Sequence, residues 1–246
     1  KLSGAKTKRF AHNNINDLER IIQVCVKNRP NNPPLVITES LFSMEGTSPD
    51  IEKIASLCKN YHCRLLVDEA HALGILGSQG RGLCYGKSEQ VTMISGTFGK
   101  AFGSGGAFLA TNKEIGNHIL QTSGAFRYTT ALAPPLAAAS LESLKLIQEN
   151  PNWKKDLQKQ SAFWQSTLRK EGWSLPKVNG PIIPLILGSD EQSIQTQRHL
   201  ENEGLLTIAI RPPTVPEGTS RLRLVVRRNL PDDTLDKLIY CLDKNK

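Results

Sequence analysis

Two hydrophobic spacings alternate along this chain. In NNINDLERIIQVCVKNR, residues 13–29, apolar side chains recur three and four positions apart behind an Asn/Asp start, which predicts an amphipathic, capped helix. PPLVITES then forms a short, nearly continuous apolar run of the kind expected of a buried strand. The pair repeats: DIEKIASLCKNYH has helical spacing, and CRLLVDEA reads as a strand. After a glycine-rich loop, VTMISGT and GAFLAT are two more strand candidates, separated by GTFGKAFGSGG. Val/Ile/Leu-rich strands alternating with amphipathic helices predict an α/β fold with a mostly parallel sheet covered by helices on both faces.

The pattern changes beyond residue 135. Pro134 and Pro135 precede an Ala/Leu-rich helical stretch over 136–149, Pro151 interrupts it, and a second helix runs to about residue 171. PIIPLIL, a helix near 190–203, LLTIAIR, SRLRLVV and a last helix in PDDTLDKLIYCLDK complete a smaller C-terminal α+β domain. The expected division is residues 1–135 and 136–246. No internal repeat or low-complexity tract interrupts either part.

Composition narrows the classes. With 246 residues, 39% hydrophobic and 22% charged, the chain can bury a substantial core. No apolar run approaches membrane-spanning length, no secretory leader pattern occurs, and a cytoplasmic protein is expected. The first residues, KLSGAKTKRF, read as the middle of a longer sequence. Five cysteines at irregular spacing contain no C-x-x-C pair, so neither a disulfide framework nor a metal site is signalled. The net charge of +8 is scattered, and aromatic residues make up only 6%, which argues against a nucleic-acid partner and fits small anionic ligands as well.

The candidate chemistry sits where the strands end. TES, DEAH and GTFGK follow three successive strands, and open α/β sheets bind ligands at the carboxyl ends of their strands. DEAH after a strand resembles a helicase motif, but that reading needs an upstream phosphate loop. The Gly99-Lys100 pair lies downstream, has Ile94 where the first glycine belongs, and is followed by Ala101 rather than a hydroxyl. Lys100, in a loop of bare glycines, is a phosphate contact, a Schiff-base nucleophile or a solvated charge. Singly, Asp68 is an ordinary cap, His71 a loop histidine and Lys100 a surface lysine. Together they suit one ligand, pyridoxal phosphate, which needs an amine, an acid against its ring nitrogen and donors around its phosphate. Burial in that loop is expected to disfavour the Lys100 ammonium.

Over nearly its whole length the chain resembles the α-oxoamine synthases, fold-type I enzymes that use pyridoxal phosphate. The resemblance rests on RFAHNN, ITESLFSMEGTSPD, VDEAHALGILGSQGRG, GTFGKAFGSGGA, YTTALAPP and TIAIRPPTVPEGTSRLRL. It implies a cofactor-binding large domain, incomplete here, and a homodimer. By that resemblance Lys100 condenses with the cofactor and later moves the Cα proton, and Asp68 pairs with the ring nitrogen. His71 and Ser43 bond near the phenolic oxygen, and Thr97 binds the phosphate. Thr129 or Thr130 reaches the phosphate of the partner subunit. Arg223 holds the amino-acid carboxylate and Thr214 lines the acyl side; Arg221 receives no role. AIRPPTVPEGTSRLRL favours the biotin-synthesis branch, which joins L-alanine to a pimeloyl thioester on CoA or acyl carrier protein. Glycine- or serine-using relatives, and remotely a non-catalytic interaction module, are the alternatives. Relatives also carry a segment before RFAHNN with a His-Ala-Ser motif whose histidine stacks on the cofactor; His12 belongs to a different motif and reads as structural.

Overall fold

Asn14 and Asp50 act as their residue types predict. Each side chain accepts a backbone N–H three residues on, from Asp17 and Lys53, and so opens α1 (Ile15–Asn28) and α2 (Ile51–Asn60). The computed structural model describes residues 4–243. β1 (Leu35–Glu39), β2 (Arg64–Asp68), β3 (Met93–Thr97) and β4 (Ala107–Thr111) form one sheet in that order. The first three are parallel, with Glu39 opposite Asp68 and Asp68 opposite Ser95. β4 returns antiparallel, with Ala107 opposite Thr97. The sheet is therefore mostly parallel, with one reversed edge strand.

The alternation of β1 and β2 places Val36, Leu65 and Val67 on one face, where they pack with Leu18 and Ile22 of α1 and Ile54 and Cys58 of α2. The other face differs from expectation. Leu35 and Ile37 are 45% and 59% exposed, because both helices pack on the Val36 side. α3 (Lys113–Thr122), opened by Asn112, whose side chain accepts the Ile115 N–H, and α4 (Gly124–Arg127) follow β4, and neither buries a residue.

α5 (Pro134–Glu149) carries both prolines in its first turn, where their missing N–H groups cost nothing. Next come α6 (Asn152–Lys170), β5 (Ile182–Gly188), α7 (Asp190–Asn202), β6 (Ile208–Ile210), β7 (Ser220–Val225) and α8 (Thr234–Asp243). The three strands are antiparallel in the order β5-β7-β6, so Pro184 sits on an edge strand, where a proline is tolerated. Ile183, Leu185, Leu222 and Leu224 form a separate core with Leu168, Leu200 and Leu238.

The chain divides into two compact units, one running to Ser40 and resuming at Ser48–Leu146, the other holding Leu41–Thr47 and everything from Ile147. The division thus falls within α5 rather than ahead of it, and a seven-residue segment crosses to the second unit. Arg221 and Arg223 explain the crossing. From one face of β7 they donate to the Met44 carbonyl at 3.3 Å and the Ser43 carbonyl at 2.7 Å. The Asn179 N–H bonds the Gly46 carbonyl at 3.0 Å, and a Cβ on Gly46 would lie 2.1 Å from the Ile182 carbonyl oxygen, at a φ of +66°. Among the described residues no helix is long and apolar enough to cross a membrane, and no group of three His, Cys, Asp or Glu is arranged to hold a metal. All five cysteines are free thiols.

Truncating Leu65, fully buried between β2 and α2, should cost about 2–5 kcal/mol in urea denaturation. Leu206→Ala, at a side chain 84% exposed, should stay within about 0.5 kcal/mol of the parent.

Candidate active site

β1, β2 and β3 run the same way; β1 and β2 end level at Glu39 and Asp68, and β3 passes that level at Ser95 and runs two residues further, so Ser40, Asp68 and Ser95 lie side by side. The Ser40 N–H donates to the Asp68 carbonyl at 2.9 Å, and the Glu69 N–H to the Ser95 carbonyl at 2.8 Å. The half-buried Asp68 carboxylate receives Ser95 Oγ on Oδ2 at 2.9 Å and the Ala70 N–H on Oδ1 at 2.8 Å. One donor on each oxygen fixes its direction while leaving lone pairs for a ligand. His71 lies half-buried in the turn just beyond, where the N–H groups of Ala72 and Leu73 both return to the Glu69 carbonyl at 2.9 Å.

Thr97, two residues past Ser95 on β3, is half-buried. Its hydroxyl receives the Gly99 N–H at 3.1 Å and donates to the Gly106 carbonyl at 3.0 Å. The loop that follows is pinned by Phe98 N–H to the Gly106 carbonyl and Ser104 N–H to the Phe98 carbonyl, both 2.9 Å. A Cβ on Gly99 would sit 3.5 Å from Thr97 Oγ1, so the bare glycine leaves open space beside that hydroxyl. Lys100 is exposed, contrary to the expectation of a buried amine. The physical reason is local: Gly99, Gly103 and Gly105 supply no side chains to cover it.

Glu69 received no role from sequence, yet it is 1% exposed. Its carboxylate accepts the Leu83 N–H at 2.7 Å, the Cys84 N–H at 3.1 Å and the Ser40 hydroxyl. Burial outweighs these donors and raises its pKa above the usual 4.5. The sequence signal for it was indirect: a second acid beside Asp68, and Gly82, where a Cβ would lie 1.8 Å from Glu69 Oε2. Burial likewise pushes the Cys58 thiol up to about 12 and the Cys84 thiol higher still.

The remaining candidates divide by unit. Thr129 and Thr130 are exposed in the first, in the irregular stretch after α4. Ser43, Thr214 and Arg223 belong to the second. Half-buried Arg223 pairs across the sheet with Pro184 and Ile208, and burial lowers its pKa. Among the described residues only its Nε has a partner, the Ser43 carbonyl, and it makes no ion pair, so both terminal nitrogens are available to a carboxylate. Thr214 is exposed. Arg221 is 6% exposed, bonds the Met44 and Thr219 carbonyls, and lies 3.6 Å from Glu45, so its work is structural.

Comparison with known proteins puts this arrangement in context. The family model described as aminotransferase class I and II matches residues 1–242. An 8-amino-7-oxononanoate synthase from Chromohalobacter salexigens is 35% identical over 242 residues, 97% of this chain and 62% of that protein. The chain spans about 60% of the length of such curated relatives, from 56% to 62%. Among solved structures, the 8-amino-7-oxononanoate synthase of Francisella tularensis superposes with a TM-score of 0.81 at 26% identity, over 99% of this chain and 69% of that one. A structure of SPT with PLP gives 0.87 at 25% identity, over 98% and 61%.

The raised Glu69 pKa has a sign that can be measured. The folded chain holds this proton more tightly than the unfolded chain does, so the contribution to stability is full below pH 4.5 and is lost as pH rises through the folded pKa. Urea denaturation across that range should show the decline in the parent and a flatter profile in Glu69→Gln.

Proposed function

The chain belongs to the aminotransferase class I and II family, and on that premise we propose that it joins L-alanine to a pimeloyl thioester with the aid of pyridoxal phosphate. The products are 8-amino-7-oxononanoate, carbon dioxide and the free thiol of CoA or acyl carrier protein. The observation that carries this reading is Asp68, aimed by Ser95 and Ala70 at the end of one parallel strand, beside the strand that runs through Thr97 to Lys100. The oxononanoate synthase relatives and the likeness to PLP-holding SPT support it.

The residues present suit the cofactor. Asp68 keeps free lone pairs for a protonated ring nitrogen, and Gly99 leaves room for a phosphate beside Thr97. Bound there, pyridoxal phosphate supplies an electron sink for the pair left at the amino acid's Cα. Asp68 would hold a proton on the ring nitrogen, which makes such a sink effective. Thr97 would offer its hydroxyl to the phosphate in place of the Gly106 carbonyl, and His71 and Ser43 would, by the family resemblance, serve the phenolic oxygen. Lys100 would hold the cofactor through its amine and would accept the Cα proton of alanine. Arg223 offers its two terminal nitrogens to the alanine carboxylate, and Thr214 lines the acyl side. Thr129 and Thr130 serve the phosphate of the partner in a cytoplasmic homodimer.

A serine-using synthase is the second reading, favoured by the higher structural similarity to SPT, serine palmitoyltransferase. Mass-spectrometric product analysis with alanine, serine and glycine separates the two; a product from serine or glycine alone would overturn the alanine assignment. In the full gene product, Lys100→Ala should fold as the parent does, while borohydride no longer fixes pyridoxal phosphate to the protein. Persistent fixation would remove Lys100 from its role. Asp68→Asn should retain cofactor and lose roughly a hundredfold or more in turnover.

A further inference from the structure

A carboxylate buried without a cation is costly, and a neutral side chain of similar shape would serve packing more cheaply. Among the described residues Glu69 has no ion-pair partner, yet it is 1% exposed and ties together three segments. Its side chain holds Ser40 after β1 and the Leu83 and Cys84 amides; its N–H bonds the Ser95 carbonyl of β3 at 2.8 Å. Its carbonyl receives Ala72 and Leu73, closing the turn that carries His71. Ser40 in turn bonds the Asp68 carbonyl through its N–H at 2.9 Å, and its one hydroxyl proton is shared between that carbonyl, at 3.3 Å, and the Glu69 carboxylate. Gly82, at a φ of +86°, allows the carboxylate its place, since a Cβ there would overlap Oε2.

We propose that Glu69 is a positioning residue: by gripping Ser40, Leu83 and Cys84, it sets the direction of Asp68 and the placement of His71. It touches no reacting atom, and its effect on chemistry passes through these two neighbours. The inference rests on the reading of Asp68 and His71 as cofactor contacts, but its structural half is independent of any cofactor.

The test uses the full gene product with Glu69→Gln and, as a milder probe, Ser40→Ala. Both should keep the parent's circular dichroism. Both should raise the dissociation constant for pyridoxal phosphate about tenfold or more, the usual effect of removing a partner that orients a ligand-binding group. The pH midpoint of the bound cofactor's absorbance should move as well, which a loss of stability alone would not cause. The double variant should be non-additive in these readouts. In cofactor-free protein, Glu69→Gln should speed hydrogen exchange at the Ala70, Ala72 and Leu73 amides about tenfold. Unchanged exchange at these amides overturns the proposal whether or not the protein binds cofactor. Parental affinity and midpoint in both variants overturn it too. A parent that takes up no pyridoxal phosphate removes the proposed function instead, and the exchange result then decides this inference alone.

Discussion

Three strands must run parallel in one fixed register for this fold to bring Ser40, Asp68 and Ser95 together, and parallel strands cannot be joined by a tight turn. The β1-to-β2 connection uses α2 in the ordinary way. Between β2 and β3 there is no α-helix, only an irregular run with a short 3₁₀ turn at Ser78–Gly80. Such a run must still satisfy its backbone groups and lie against the sheet. The buried Glu69 carboxylate does this from inside, taking two of the run's amides, while Ala72, Leu76, Cys84 and Val91 bury their side chains. The strand that ends in Asp68 and the loop that returns to β3 therefore share one anchor.

The same economy of contacts governs the second unit. Arg221 and Arg223 alternate on β7 with buried Leu222 and Leu224, so one strand supplies both core and polar grip. Their guanidinium groups reach backbone carbonyls of the 41–47 segment rather than carboxylates alone, which is why that segment leaves the unit of its sequence neighbours. The two arginines nevertheless differ. Arg221 is engaged by Thr219, Met44 and Glu45, whereas Arg223 keeps both terminal nitrogens uncommitted among the described residues. A pair that looks equivalent in RLRL is divided by tertiary partners into a structural and a candidate binding group.

How much was legible in advance follows the range of the interaction concerned. Caps, strand runs and the arginine-bearing strand were readable because each depends on residues a few positions apart: Asn14 and Asp50 bond three residues on, and β2 matches its apolar run. Asp68, Thr97 and Lys100 could be placed at strand ends for the same reason. The burial of Lys100 was misjudged because burial depends on what distant chain brings, and a loop of glycines brings nothing. Glu69 passed unnoticed because its partners lie 14 and 15 residues downstream, in a loop without periodicity.

By itself, then, the sequence determined the elements, the residue types at their ends and the resemblance carried by its motifs, all of which are local matters of spacing and backbone preference. The tertiary structure alone decided that Asp68 is aimed by Ser95, that Glu69 is interred against Gly82, that Arg223 keeps donors to spare and that residues 41–47 change units. Each of these depends on strand register or on close contact between segments far apart in the chain, and no local pattern of side chains encodes the distance between two such segments.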